Sequence, residues 1–171
     1  METKLYELKN RFTGEVIFSL ECESFKVCVE GCIKAGISLK SANLEYANLE
    51  SANLQSASLK YANLRSANLR SASLESANLK YANLEYANLK SANLKSANLE
   101  YANIDFSSWP IWCGSVKAIV CKKIARQLMY HALVVSMRHI PKKFITQELI
   151  KWVNESHIVK NGWVKSLERI E

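Results

Sequence analysis

The chain has 171 residues, 49% of them hydrophobic and 23% charged, which suits one folded domain with terminal additions and excludes a disordered polyelectrolyte. Its apolar runs are a handful of residues long, far short of the ~20 needed to span a bilayer, and the charged stretch Met1–Asn10 has no apolar core of a secretory leader. The net charge of +7 is lopsided: residues 1–39 are net −1, residues 40–105 net +1, and residues 106–171, with 11 basic and 4 acidic side chains, net +7. Five cysteines (Cys22, Cys28, Cys32, Cys113, Cys121), an odd number without Cys-x-x-Cys spacing, point to free thiols in a reducing cytoplasm.

Residues 1–36 read as an N-terminal unit. Leu5–Lys9 and Glu15–Cys22 are β-rich runs, the second with Val16, Phe18 and Leu20 alternating, and Thr13-Gly14 supplies the turn between them. Ser24 is placed to N-cap a short helix carrying Phe25, Val29, Cys32 and Ile33 on one face, with Gly36 ending it. Cys28 and Cys32 are four apart on that helix; with no further ligand near them in sequence, they are expected to be buried thiols and not a metal or redox pair.

Residues 37–110 are dominated by a period of five. Fourteen quintets run without a slip from Ile37-Ser38-Leu39-Lys40-Ser41 to Ala102-Asn103-Ile104-Asp105-Phe106. The central position is Leu thirteen times, at Leu39, Leu44, Leu49, Leu54, Leu59, Leu64, Leu69, Leu74, Leu79, Leu84, Leu89, Leu94 and Leu99, and then Ile104. Ala stands two places earlier in thirteen quintets, Ala47, Ala67 and Ala87 among them. Neither the 3.6 period of a helix nor the 2.0 period of a strand accommodates this spacing. A helix would spread Leu residues five apart around its surface, and Asn and Ser compete with its backbone hydrogen bonds.

A square solenoid resolves the spacing. Each quintet forms one side, Leu and Ala point inward, and the other three residues face solvent. Four quintets give a coil of 20 residues, so residues 37–106 supply 3.5 coils. Parallel strands ~4.8 Å apart then make a rod roughly 17 Å long. The position before the centre is Asn eleven times and Ser three times, which predicts amide ladders along the outside. The Ala-(Asn/Ser)-Leu-x-x pattern resembles the bacterial pentapeptide repeat family, whose members form a right-handed quadrilateral β-helix. The flanks resemble a bacterial and phage subset of that family, in Asn10-Arg11-Phe12-Thr13-Gly14 before the repeats and Trp109-Pro110-Ile111-Trp112-Cys113-Gly114 after them. There, the first motif belongs to a hairpin and the second leads into a helical tail.

Residues 111–171 read as an α-helical segment that caps or dimerises the rod, since an open solenoid end exposes core and strand edges. Helices are expected over Val116–Met137, stopped by Pro141, over Thr146–Glu155, and over Trp163–Ile170. Ile124 and Leu128 lie on an apolar stripe, Trp152 on the second helix, and Trp109 and Trp112 where the last coil needs covering. These five are the candidate cap or dimer residues.

Unrolling the repeat at a period of 20 exposes its surface. Charges after the centre form the columns Glu45–Arg65–Glu85–Asp105, Glu50–Arg70–Lys90, Gln55–Glu75–Lys95 and Lys40–Lys60–Lys80–Glu100. Only the Lys40–Lys60–Lys80 run is like-charged, and beside it Tyr61, Tyr81 and Tyr101 stack. Tyr46, Tyr86 and Phe106, interrupted by Ser66, are expected at the opposite turn. Lys60, Lys80, Tyr61, Tyr81 and Tyr101 are thus the candidate interaction surface, the alternative being a Tyr ladder that only stabilises the rod.

No phosphate loop, nucleophile elbow or His-x-x-x-His pair occurs, and His131, His139 and His157 lack neighbouring ligands. The expectation is a non-enzymatic scaffold without catalytic residues, cofactor or metal, meeting a macromolecular partner, a protein before a nucleic acid, with a homodimer through the C-terminal helices open and no membrane. The alternative is nucleic-acid binding through the basic C-terminal segment. The family resemblance adds mimicry of DNA at DNA gyrase, but a repeat of net +1 and a rod of roughly 17 Å fit an acidic duplex mimic poorly.

Overall fold

A computed structural model of the chain describes residues 2–108: a hairpin, a helix and the repeat. The helices expected further along, and Trp109, Trp112, Ile124, Leu128 and Trp152, lie outside the described residues.

Within the repeat, parallel bridges join residues 20 apart, from Asn43–Asn63 to Asn88–Ser108, so four quintets make one coil. The quintet 62–66 shows how its backbone donors are used. Ala62 N–H bonds Leu59 O across the turn at 3.0 Å, Asn63 N–H bonds Ala42 O at 2.9 Å, Leu64 N–H bonds Asn83 O at 2.7 Å, and Ser66 N–H bonds Glu85 O at 2.8 Å. The fifth, Arg65 N–H, finds the Asn63 side-chain oxygen at 3.3 Å. All five N–H groups are satisfied, three of them between coils, which is what a stack without an α-helix or long strand requires.

The fifth bond explains the asparagines. Each of the eleven accepts from the N–H two residues on, from Glu45 on Asn43 to Asp105 on Asn103. Ser38 does the same for Lys40 at 3.2 Å. The expected amide ladders form in part, with Asn48, Asn68 and Asn88 linked in one run. Asn–Asn links occur at Asn63–Asn43, Asn68–Asn48 and Asn88–Asn68, while Asn63, Asn68 and Asn93 also donate to Glu45, Glu50 and Glu75. The amide oxygen closes a local Asx turn; stacking is secondary.

Every corner carries a residue with positive φ, between 56° and 62°, at all fourteen positions from Ser41 to Phe106. With the Ala N–H to Leu O bond, this is a β-turn with the type II signature at its third residue. The left-handed region costs an L-residue roughly 1–2 kcal/mol and is worse for β-branched side chains. Accordingly the corners hold only Ser, Tyr and Phe. The inter-coil bond made by each corner N–H from Ser41 to Tyr86 offsets that strain.

Leu39 to Leu99 are at most 1% exposed and Ile104 is 4% exposed, so the central column fills the interior. The thirteen alanines, Ala47, Ala67 and Ala87 among them, are buried beside them. Burying one Leu side chain contributes about 2 kcal/mol, and every coil supplies four such positions.

The hairpin pairs β1 (Lys4–Lys9) with β2 (Val16–Cys22), with a bulge between Leu8 and Lys9. Asn10 builds its tip: the Asn10 side-chain oxygen accepts from Phe12 and Thr13 N–H, its carbonyl accepts from Gly14 N–H, and Gly14 takes φ 74°. Helix α1 (Phe25–Lys34) starts at Ser24, whose hydroxyl accepts from Val27 N–H, and stops at Gly36 with φ 70°. There Ile37 N–H reaches Cys32 O and Gly36 N–H reaches Ile33 O, a Schellman cap. The helix buries Cys28, Val29 and Cys32, while Phe25 and Ile33 are half-buried. A Cβ at Gly31 would meet Leu20 Cδ2 at 2.9 Å, so this glycine lets helix and hairpin close.

Both elements cover the first coil's edge, where no preceding coil exists. Lys9 O accepts from Asn43 N–H at 2.7 Å, and the Glu30 carboxylate accepts from Asn53 N–H at 2.7 Å. The hairpin tip is anchored by Arg11 N–H on Ser41 O at 2.8 Å and an Arg11 guanidinium contact to Tyr61 O at 3.3 Å.

Candidate interaction surface

The side chains facing water follow the columns of the repeat. Arg65 bridges Glu45 at 3.1 Å and Glu85 at 3.4 Å, Arg70 pairs with Glu50 at 3.5 Å, and Lys95 pairs with Glu75 at 3.0 Å. Hydrogen bonding from Lys95 holds the Glu75 carboxyl below its ordinary range. These are solvent-exposed pairs, whose contribution water and salt largely screen. The Lys column differs. Lys80 donates to Glu100 at 2.6 Å, but neither Lys40 nor Lys60 has a carboxylate within salt-bridge distance among the described residues.

Tyr61, Tyr81 and Tyr101 form a ladder with ring centroids 5.1 and 5.0 Å apart and planes within 9° of parallel. The 20-residue period puts them at the same corner of successive coils, and the positive φ aims each side chain outward. Lys60 lies 5.0 Å over the Tyr61 ring, and Lys80 lies 5.6 Å from both the Tyr81 and Tyr101 rings. All five candidate surface residues therefore form one cluster. Lys60, Lys80 and Tyr61 are half-buried, whereas Tyr81 and Tyr101 are 40% and 58% exposed.

The second aromatic column needs correcting. Tyr46, Tyr86 and Phe106 lie one quintet after the first column, and one quintet is one side of the square, so they occupy the next corner and not the opposite one. Tyr86 and Phe106 stack at 5.0 Å. The gap left by Ser66 is bridged by Arg65, which donates to the Tyr46 hydroxyl at 3.3 Å and lies 5.9 Å from the Tyr86 ring. Two neighbouring corners thus carry aromatic ladders, with the Glu45–Arg65–Glu85 column on the side between them. Arg65 was legible only as one charge in a column, because its ring contacts depend on where its long side chain turns.

Arg11 and Phe12 were also missed as surface residues. Phe12 at the hairpin tip is 69% exposed and lies 5.0 Å from the Arg11 guanidinium. Nothing in the local sequence says that this tip meets Ser41 and Tyr61.

The remaining polar features carry less chemistry. Cys22, Cys28 and Cys32 are buried and unpaired by disulfides. Burial, then the neighbouring Cys28, pushes the Cys32 thiol up to about 11, and burial, then Cys22, raises Cys28, so Cys28 and Cys32 stay protonated at neutral pH. Among the described residues no group of three or more His, Cys, Asp or Glu is placed to hold a metal ion, and no helix is long and apolar enough to cross a membrane. Two open grooves of about 330 and 350 Å³ flank α1 over the first coil, lined by polar groups such as Glu30, Lys34 and Gln55 or Lys26, Asn48 and Glu50.

The family model for pentapeptide repeats matches residues 35–70 and 72–105, in eight copies. The repeat segment of this chain is thus similar to pentapeptide repeats over 70 of its residues. Parallel bridges every 20 residues, four quintets to a coil, make the repeat a four-sided β-helix. Similar solved structures include a pentapeptide repeat protein from Nostoc PCC 7120, 29% identical over 57% of this chain and 96% of that one, with a TM-score of 0.43. A pentapeptide repeat protein from the thylakoid lumen of Arabidopsis thaliana is 22% identical over 56% of this chain and 72% of that one, with a TM-score of 0.36. One from the cyanobacterium Cyanothece 51142 is 33% identical over 48% of this chain and 55% of that one, with a TM-score of 0.26. No curated protein matches the chain.

Proposed function

We propose that this pentapeptide repeat protein is a non-catalytic scaffold whose Lys–Tyr corner docks a macromolecular partner, a protein in the first instance. The carrying observation is the Tyr61–Tyr81–Tyr101 ladder with Lys60 and Lys80 against its rings. Tyrosine is enriched at protein interfaces because a large rigid ring brings contact area at low entropic cost and ends in a polar group. Here the corner backbone and the ring stacking hold that surface ready before a partner arrives, which reduces the ordering cost of binding. Similarity of the repeat to pentapeptide repeats supports the non-catalytic part, since proteins of that family are generally scaffolds.

Photo-crosslinking in the cells that make the protein tests this reading. With p-benzoylphenylalanine in place of Tyr81, a discrete protease-sensitive adduct is expected. The same group in place of Ser71, at the diagonally opposite corner, should give none. Identical adducts from both positions, or none from Tyr81, would remove the Lys–Tyr corner as the docking surface.

A second reading rests on the charge of residues 106–171, 11 basic against 4 acidic, which suits phosphate contacts. It requires binding of duplex or single-stranded DNA that weakens steeply with salt and is lost on truncation near Ser115. Light scattering on the same two chains tests whether the segment also holds a homodimer.

A further inference from the structure

The docking corner extends beyond the repeat, and its chemistry specifies the partner. The hairpin tip sits on the same corner: Arg11 N–H bonds Ser41 O, and its guanidinium touches Tyr61 O. Ser41 heads the column that continues through Tyr61 and Tyr81, and Lys40 precedes it in the chain. Among the described residues, Arg11, Lys40 and Lys60 all lack a carboxylate within 4.0 Å; elsewhere in the repeat Lys90 also lacks one, whereas Arg65, Arg70, Lys80 and Lys95 each have one. Lys40 is exposed, and Arg11 keeps most of its five N–H donors after its single contact to Tyr61. Exposed Phe12 closes the upper end. A stripe of uncompensated cations and aromatic groups therefore runs from the hairpin tip down the coils.

We infer that this stripe, Arg11, Phe12, Lys40, Lys60, Tyr61 and Tyr81, binds an extended acidic segment of a protein partner. The inference rests on the docking role proposed above and names the partner's chemistry. Charge complementarity selects an anionic occupant. The ring geometry then decides between a peptide and a nucleic-acid strand. Bases bind aromatic platforms through open ring faces, but in this ladder the faces between Tyr61, Tyr81 and Tyr101 are closed at 5.0–5.1 Å. A ring stacked on both faces offers a partner its edge and its hydroxyl, which suit carboxylates and backbone carbonyls. The stripe also follows the solenoid axis for about 15 Å, three steps of ~4.8 Å from the hairpin tip to Tyr81, a length that about four extended residues span at ~3.4 Å each.

The experiment is fluorescence anisotropy on the full-length chain with three labelled probes: a 12-residue Glu-Thr repeat peptide, its Gln-Thr counterpart, and a 12-nucleotide oligo-dT. The Glu-Thr peptide should bind and the Gln-Thr peptide should not. Arg11→Gln/Lys40→Gln/Lys60→Gln should weaken binding at least tenfold. Lys26→Gln/Lys34→Gln/Lys90→Gln, with the same change in net charge away from the stripe, should alter it less than twofold. Tyr61→Phe/Tyr81→Phe, which keeps the ladder and removes two hydroxyls, should weaken it roughly threefold. Equal losses from both triple variants would show attraction to net charge alone and overturn the inference, as would no binding of the Glu-Thr peptide. Oligo-dT binding with the same dependence on the stripe would also overturn it, in favour of nucleic acid. A specific Tyr81 cross-link without Glu-Thr binding would leave the docking role standing and remove only the acidic partner.

Discussion

The solenoid and its N-terminal cap satisfy the same backbone in opposite ways. In the repeat each interaction recurs every five or 20 residues: a stacked Asn quintet such as 62–66 makes a turn bond, an Asx bond and three inter-coil bonds. In the cap almost every decisive contact occurs once, such as Lys9 O on Asn43, Glu30 on Asn53 and Arg11 on Tyr61. Periodicity spreads stability over many equivalent positions, so a surface defect is local. A cap concentrates it, because each contact there replaces a coil that does not exist.

The largest effect should come from breaking the interior of the repeat. Leu69→Asp places a charge without a partner among stacked leucines, costing several kcal/mol, enough to unfold a domain of ordinary stability. Retention of the wild-type circular dichroism and melting point would show that this column is not the core.

The next test is in the cap and uses pH. Cys32 is raised to about 11 from an ordinary 9.0, so its neutral form is the one the folded state favours. A raised folded value means the contribution is complete below pH 9 and lost as pH rises through about 11. Its full size is on the order of 2–3 kcal/mol. Melting curves from pH 8 to 11.5 should fall less steeply for Cys32→Ala than for wild type, and parallel curves would count against it.

A third comparison is made at the corners. Ser71 has φ 57°, so Ser71→Val should lose about 1–2 kcal/mol in urea unfolding, while Ser71→Gly should be neutral or stabilising. Equal behaviour of the two would mean that corner strain is not what excludes β-branched residues.

The smallest effect sets one bond of each kind against the other. Asn78→Ala removes the acceptor of Lys80 N–H, and Glu30→Ala removes that of Asn53 N–H. Each should cost about 1 kcal/mol or less, because water can reach these partly exposed groups. Asn78→Ser should recover little of its loss, since Ser38 reaches Lys40 N–H but Ser58 and Ser73, inside the repeat, make no such bond. The comparison sharpens if Glu30→Ala also loosens α1, seen as faster hydrogen exchange there, while Asn78→Ala leaves its neighbouring coils protected.

The amino-acid sequence by itself determined the coil. A period of five with Leu and Ala at fixed places has one economical solution, and the same period predicts which residues stack. It also marked the helix boundaries, because Ser24 and Gly36 act through bonds within a few residues of themselves. The amide ladders form only in part, because an Asn side chain reaches its own turn more readily than the next coil. Positive φ at the corners left only an indirect trace, the absence of β-branched residues at fourteen positions. What only the tertiary structure decided are the unrepeated contacts: Arg65 filling the gap at Ser66, and Arg11 joining the Lys–Tyr corner. These depend on long side chains meeting groups up to 50 residues away, and no local pattern encodes a contact made once.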